Sequence, residues 1–209
     1  FQSIKISKNY SFYADPFIVD SKIVVEGLNN FSCKGELLLI DLESSSIIKK
    51  YSVKNKHLSY PYTEEYLGKK YIYPDSAVFK EPFIYSGIDL TSLKKSSLKN
   101  FKNGLTDPSV IEYNGLFFLF ANYPNEQFVL RLWVASNPSF SDVIEHKKSP
   151  ILISPQGGRS GGRIFKYKDK IYRLGQDNTD DYGNGLILFE IKTLSKEYYY
   201  ERKTMNYKL

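Results

Sequence analysis

Four times along the chain a short polar corner leads into a strand, at a nearly constant interval. The first corner is Ala14-Asp15-Pro16-Phe17-Ile18-Val19, running on to Ile23-Val24-Val25-Glu26. The second is Tyr60-Pro61-Tyr62, followed by Tyr66, Gly68 and Tyr71-Ile72-Tyr73-Pro74-Asp75. The third is Thr106-Asp107-Pro108-Ser109-Val110, then Tyr113-Asn114-Gly115 and Phe117-Phe118-Leu119-Phe120. The fourth is Gly162-Arg163-Ile164-Phe165, then Tyr167, Asp169 and Ile171-Tyr172-Arg173-Leu174. An offset of 47 carries Pro61 to Pro108, Tyr66 to Tyr113, Gly68 to Gly115 and Tyr71 to Phe118. An offset of 54 then carries Pro108 to Gly162, Tyr113 to Tyr167 and Phe118 to Tyr172. A fixed period in this range marks a repeat architecture. With strands inside each unit, it predicts an all-β fold, a β-propeller.

The units run over 10–53, 58–97, 105–150 and 159–202. Within them, runs of strand length are bounded by Gly, Pro, Asn and Ser. Gly35 to Leu42, Ser76 to Phe79, Pro82 to Tyr85, Phe128 to Ala135 and Gly185 to Ile191 read as strands, and Glu197 to Arg202 as an outer one. Thr91 to Asn103 reads as a polar connection, and no long amphipathic helical pattern is present. The 18 Tyr and 14 Phe suit half-buried pleated surfaces. A few tyrosines near the corners could instead stack on sugar faces. Four blades are visible; the expected ring has five, with Phe1–Lys8 and Lys203–Leu209 contributing to the fifth. One propeller domain over 1–209 is expected, and the start at Phe1 suggests a piece of a longer protein.

The net charge of +6 comes from lysines scattered through turns, such as Lys49-Lys50 and Lys147-Lys148. No run reaches the length of a nucleic-acid or membrane tail, so no nucleic-acid partner is expected. No stretch is long and apolar enough to span a bilayer. One cysteine, Cys33, rules out an internal disulfide framework, and the expected location is the cytoplasm. His57 and His146 stand far apart in the repeat, so neither a zinc site nor any other cofactor is expected.

In a propeller, the innermost strands begin near one mouth of the central channel, so equivalent corners converge on one funnel. The corners supply Asp15, Tyr60, Asp107, Arg159 and Arg163; inner strand ends add Glu26, Asp75, Asn122, Gln176 and Asp177. Two Asp-Pro corners invite a glycosidase reading, because glycosyl hydrolysis needs two carboxyl groups facing one bond. Asp15 as base, Asp107 as a third, tuning carboxylate, and Glu26 or Asp75 as acid would supply the residue types. The same Asp-Pro pairs also serve as plain turn residues. The stretch Gly157-Gly158-Arg159-Ser160-Gly161-Gly162-Arg163 joins two arginines to glycines that let backbone approach a ligand. Ligand contact, internal ion pairing and a plain turn are all open for it. The Asp177, Asp180 and Asp181 cluster lacks a spaced calcium-loop pattern and reads as a solvated turn.

Read in order, these corners resemble a known family. Ala14-Asp15-Pro16-Phe17 with Val25-Glu26, Gly35-Glu36, Leu58-Ser59-Tyr60-Pro61 with Tyr73-Pro74-Asp75-Ser76, Thr106-Asp107-Pro108-Ser109 with Leu119-Phe120-Ala121, and Arg159 to Phe165 with Gly175-Gln176-Asp177 look like its successive motifs. The family is the N-terminal β-propeller domain of plant glucosamine inositolphosphorylceramide transferase and its bacterial polysaccharide-locus relatives. The resemblance implies a five-bladed fold related to arabinanase and fructosidase propellers. It implies a role in glycan or surface-polysaccharide assembly beside a fused or associated transferase domain. Three positions depart from the family pattern: Asp75 stands for a glutamate, Gly27 for a second acid, and Arg-Ser-Gly-Gly-Arg for Arg-Pro-Ala-Gly-Arg. The expectation is a sugar, sugar-phosphate or nucleotide-sugar ligand in the funnel, bound by Tyr60, Arg159, Arg163, Gln176 and Asp177 around Asp15 and Asp107. The alternative is a glycoside hydrolase pairing Asp15 with Glu26, Asp75 or Asp107.

Overall fold

A computed structural model describes residues 4–208, and every regular element in it is a strand. The first blade is β1 (Tyr10–Val19), β2 (Lys22–Asn29), β3 (Lys34–Asp41) and β4 (Ile47–Tyr51). The second is β5 (Ser59–Tyr66), β6 (Lys69–Asp75), β7 (Phe83–Gly87) and β8 (Lys94–Ser97). The third is β9 (Thr106–Tyr113), β10 (Leu116–Asn122), β11 (Val129–Ala135) and β12 (Ile144–Glu145), with β13 (Leu152–Ile153) also on β11. The fourth is β14 (Gln156–Ser160) and β15 (Phe165–Tyr167), both paired to β16 (Lys170–Asp177), then β17 (Gly185–Leu194) and β18 (Tyr199–Lys208). Each blade is antiparallel; the first two are meanders whose strands pair in sequence order, and the third and fourth depart from that order only at β13 and β15. This is a β-propeller arrangement, as the repeat predicts.

Tight turns set the period. Gly68 and Gly115 close the first hairpins of blades two and three with φ of 72° and 76°, which glycine adopts without strain. The cores lie between blades. Val24, Leu37 and Leu39 of the first meet Ile72, Phe83 and Tyr85 of the second. Tyr62, Tyr71 and Tyr73 meet Phe117, Leu119 and Trp133, and Phe118, Phe120 and Leu132 meet Ile164, Ile171 and Ile191. The aromatic surplus is thus mostly blade packing.

Three expectations need correction. Ser76–Phe79 is a turn: Asp75 Oδ1 accepts the Ala77 amide at 2.9 Å, and Phe79 N–H donates to the Ser76 carbonyl at 2.9 Å. The segment Thr91–Asn103 contains β8, whose polar side chains are exposed because it is an outer strand. Of the terminal pieces assigned to a fifth blade, Lys203–Lys208 extends β18 of the fourth, and residues 1–3 and 209 lie outside the described residues. The described residues form four blades. Among them no helix is long and apolar enough to cross a membrane.

The far face of the fourth blade carries no other blade among the described residues. Cross-strand register sets Gln176, Leu186 and Tyr207 in one row and Leu174, Leu188 and Met205 in the next. These side chains are partly exposed, whereas Arg173, Ile187 and Phe189 on the other face are buried. A cleft of about 580 Å³ opens there, lined by Asp15–Ile18 from the first blade and by Gly161–Arg163, Gln176, Tyr182 and Leu186 from the fourth.

Candidate functional site

Three corners share one unusual backbone. Asp15, Tyr60 and Asp107 have φ of 48°, 44° and 47°, each immediately before a proline. The left-handed region costs a side-chain-bearing residue about 1–2 kcal/mol. Each lies where the strand register breaks, between Ala14 and Phe17, between Ser59 and Tyr62, and opposite Phe120 to Asn122. A bulge bends the strand and re-aims a side chain. Strain repeated at one position of three blades is typical of functional sites. In the fourth blade the break falls between Gln156 and Ser160, and Gly157 within it takes a positive φ, 87°, that glycine adopts without strain.

The bulges gather four carboxyl groups, and the protein treats them in two ways. Asp75 and Asp107 are held by protein donors. Asp75 Oδ2 accepts the Asp107 amide at 3.3 Å, opposite the Ala77 bond on Oδ1. Asp107 Oδ2 accepts Arg159 Nε at 2.8 Å and Gln176 Nε2 at 3.0 Å. Glu26 and Asp15 keep free oxygens. Glu26 is 6% exposed, its Oε1 stands 3.1 Å from His57 Nε2, and its Oε2 has no hydrogen bond among the described residues. The Asp15 carboxyl has the Tyr60 backbone amide against it and no side-chain donor among them. Of the four carboxyl groups, Asp15 is the one that lines the cleft.

The local field favours protons here. Burial, then the charges of Asp15, Asp75 and Asp107, push the Glu26 carboxyl up to about 7. Burial and the Asp107 charge lift Asp75 to about 7. Asp15 is raised by burial and by Asp107, against the Tyr60 backbone amide and Arg159. Asp107 is raised by burial despite the opposing pull of Arg159 and Gln176. Carboxyls titrating near neutrality can exchange protons at working pH. Among the described residues, no group of three or more His, Cys, Asp or Glu is arranged to hold a metal ion.

The other predicted residues divide. Tyr60 Oη stands 3.1 Å from Ser109 Oγ and 3.3 Å from the Gly162 carbonyl, tying three blades together at the funnel floor. Arg163 lines the cleft, yet its Nη1 donates to Glu64 at 3.1 Å and its Nη2 to Thr63 at 3.0 Å. Asp177 closes a turn by accepting the Thr179 amide at 3.1 Å. Asn122 donates to the Gly158 carbonyl at 2.7 Å and braces the third blade against the fourth. A Cβ at Gly27 would stand 2.4 Å from Leu38 Cδ1 and 2.9 Å from Tyr10 Cδ1, so any side chain there requires these two to shift.

Two site residues escaped the sequence reading. His57, in the link between β4 and β5, reaches Glu26. Tyr182, in the β16–β17 loop, is 75% exposed, lines the cleft and places its ring 5.8 Å from the Arg159 guanidinium. Burial raises its phenol pKa, with Arg159 opposing and the charges of Asp107, Asp15 and Glu26 adding to the rise.

Comparison with known proteins decides the family. The family described as "Glucosamine inositolphosphorylceramide transferase 1, N-terminal" matches residues 4–208. The chain belongs to this family. Glucosamine inositolphosphorylceramide transferase 1 of Oryza sativa subsp. japonica is 32% identical over 152 residues, and that of Arabidopsis thaliana 32% over 154. Each alignment covers 69% of this chain and 20% of the relative, so the chain spans about a fifth of the relatives' length. Among solved structures, a thermostable family-43 glycoside hydrolase superposes with a TM-score of 0.66 at 12% identity, covering 92% of this chain and 75% of that one. An α-L-arabinofuranosidase from Clostridium thermocellum gives 0.60 at 13%, covering 93% and 74%. At such identities the likeness establishes the propeller fold. A glucosamine inositolphosphorylceramide transferase N-terminal domain is a carbohydrate-related propeller, and the resemblance read from the corners holds.

Proposed function

We propose that this domain binds a sugar, sugar-phosphate or nucleotide sugar in the funnel and cleft, and serves glycan or surface-polysaccharide assembly beside a transferase domain. The observation that carries this reading is the Asp15 carboxyl, which lines a cleft of sugar size with no side-chain donor on it among the described residues and with the Glu26 carboxyl close enough to feel its charge. This carboxyl offers acceptors to sugar hydroxyls. Arg159 spends only Nε on Asp107, which leaves its Nη groups for an acidic or phosphorylated substituent. Tyr182 provides an exposed aromatic face beside them. The length of the family's relatives fits a separate domain carrying the transfer chemistry.

A second reading rests on the raised carboxyls. Glu26 near 7 with Asp15 beside it supplies a proton donor and a base, the requirement of glycoside hydrolysis. One experiment separates the two. The protein and its Asp15→Asn variant are titrated with a panel of oligosaccharides, aryl glycosides and nucleotide sugars, and products are followed by mass spectrometry. Saturable binding without products, lost in the variant, is the expected result. Turnover lost in the variant would replace it with the hydrolase reading, and a folded protein that binds nothing would refute both.

A further inference from the structure

We propose that the outer rim of the first two blades is a docking surface for an anionic lipid membrane. The lysines that build it stand apart in sequence, and the fold gathers them. Segments 47–56, 78–81 and 94–97 cover β4, the link after it, the turn after β6, and β8. They hold seven lysines against one acid, Glu81. Their net charge of +6 equals that of the whole chain, so the remaining residues are neutral overall. All seven lysines are exposed.

Aromatic rings hold three of these cations in one place. Across the seam between the blades, the Tyr51 and Tyr85 ring centroids are 4.8 Å apart, Tyr85 and Phe83 5.6 Å, and Phe83 and Phe79 4.9 Å. Lys49 Nζ stands 6.0 Å from the Tyr51 centroid. Lys95 Nζ is 3.8 Å from that of Phe83 and 5.2 Å from that of Phe79, and Lys56 Nζ is 5.8 Å from Phe79. Lys56 also donates to the Val78 carbonyl at 3.1 Å, tying the link to the turn. Ring faces attract ammonium groups without neutralising them. Carboxylates do not intervene: none of the seven lysines is ion-paired among the described residues, and Glu81 meets Lys99 at 3.6 Å. By contrast, Lys70, Lys147, Lys170 and Lys192 each meet an Asp or Glu. Clustered, unpaired cations repel one another, and an external anion relieves that repulsion.

Shape and chemistry favour a membrane over a chain-like polyanion. The lysines line neither the funnel cleft nor the two smaller cavities, so no groove waits for a strand. No arginine stands among them to fork onto a phosphate or a base edge. Ile48 and Val78, 39% and 48% exposed, lie within the same segments and can enter a headgroup layer. A lipid surface accepts both features, whereas a hydrated nucleic acid or acidic polysaccharide offers nothing to the second. The rim and the cleft share no residue, so docking leaves the cleft free and is independent of what it binds.

The test is co-sedimentation with vesicles of phosphatidylcholine, alone or mixed in equal parts with phosphatidylserine. Binding to the mixed vesicles only is expected, fading as salt rises from about 0.1 M to about 1 M. Lys49→Gln, Lys56→Gln and Lys95→Gln together should weaken it about 100-fold, roughly fivefold for each lysine near an anionic surface. Lys166→Gln, Lys168→Gln and Lys196→Gln, the same charge change in the fourth blade, should leave it nearly unchanged. A second rim set, Lys54→Glu, Lys80→Glu and Lys94→Glu, changes exposed lysines away from the aromatic row, so its loss of binding does not pass through packing at the seam. Equal binding to neutral vesicles, an equal loss in the fourth-blade set, or no loss in either rim set would overturn the proposal. So would a folded parent that binds no vesicles at low salt, or one that prefers a short DNA duplex or heparin to the mixed vesicles.

Discussion

Arg159 Nε donates to Asp107 Oδ2 at 2.8 Å, joining the fourth blade to the third. The two partners are not equally placed. Asp107 is almost fully buried, whereas Arg159 keeps about a fifth of its side chain in solvent: 6% against 20% exposure.

Removing the arginine should therefore cost more than removing the acid. Arg159→Met strands a buried carboxylate and should destabilise the fold at neutral pH by about 3 kcal/mol. Asp107→Asn keeps an oxygen for Gln176 and leaves Arg159 access to water, so its loss should be smaller. Urea unfolding of both variants checks the order; equal losses would mean that the pair is not buried as described.

Tyr182 should separate binding from stability. Its ring is exposed and packs into no core, so Tyr182→Ala should leave the unfolding midpoint within about 0.5 kcal/mol of the parent. Sugar affinity should fall roughly tenfold, about 1.4 kcal/mol. Calorimetric titration measures this, and unchanged affinity would remove Tyr182 from the site.

The contrast between what the corners disclosed and what they hid has a physical basis. Asp15, Tyr60 and Asp107 were legible because a propeller repeats one position per blade, and the strained backbone recurs with it. His57 and Tyr182 occupy links that differ from blade to blade, so periodicity carries no signal for them. The glycine-rich setting of Arg163 leaves ligand contact and ion pairing open, because its partner Glu64 lies on β5 of another blade and becomes visible only in the fold. Ser76–Phe79 has strand-like composition, but the Asp75 carboxyl captures the Ala77 amide and turns the chain. A period of about 50 residues identifies blades without fixing how many complete a ring.

Gly35 and Gly68 should respond differently to alanine. At Gly35 a Cβ would lie 2.3 Å from the Leu58 carbonyl oxygen, which is backbone and cannot swing aside. Gly35→Ala should cost about 1–3 kcal/mol and break the contact between His57 and Glu26. At Gly68 nothing lies within 4 Å, so only the φ of 72° opposes a side chain, at about 1–2 kcal/mol. Denaturant midpoints, with the Glu26 titration as a second readout, distinguish the steric effect from the conformational one. A Gly35→Ala protein with parental titration would show that the link between β4 and β5 yields without disturbing the site.

The acidic cluster should also shape stability against pH, and the sign follows from the direction of the shift. Folding raises the Glu26 pKa from 4.5 to about 7, so the native state favours the protonated acid. That contribution is complete below the unfolded value and is lost as pH rises through the folded one. Stability should therefore fall between about pH 4.5 and 7, by at most about 3 kcal/mol from this group. Glu26→Gln keeps an uncharged side chain of the same size and should remove this group's share of the fall, gaining on the parent most at pH values above 7. Asp75 is raised in the same way, as are Asp15 and Asp107, so a residual slope should persist in the Gln variant and shrink further when Asp75→Asn is added. Unfolding curves taken across that range for the three proteins give the comparison. A parent curve that rises with pH through neutrality would mean the carboxyls are ionised and paired in the native state, and would return Glu26 to the role of a permanent acceptor.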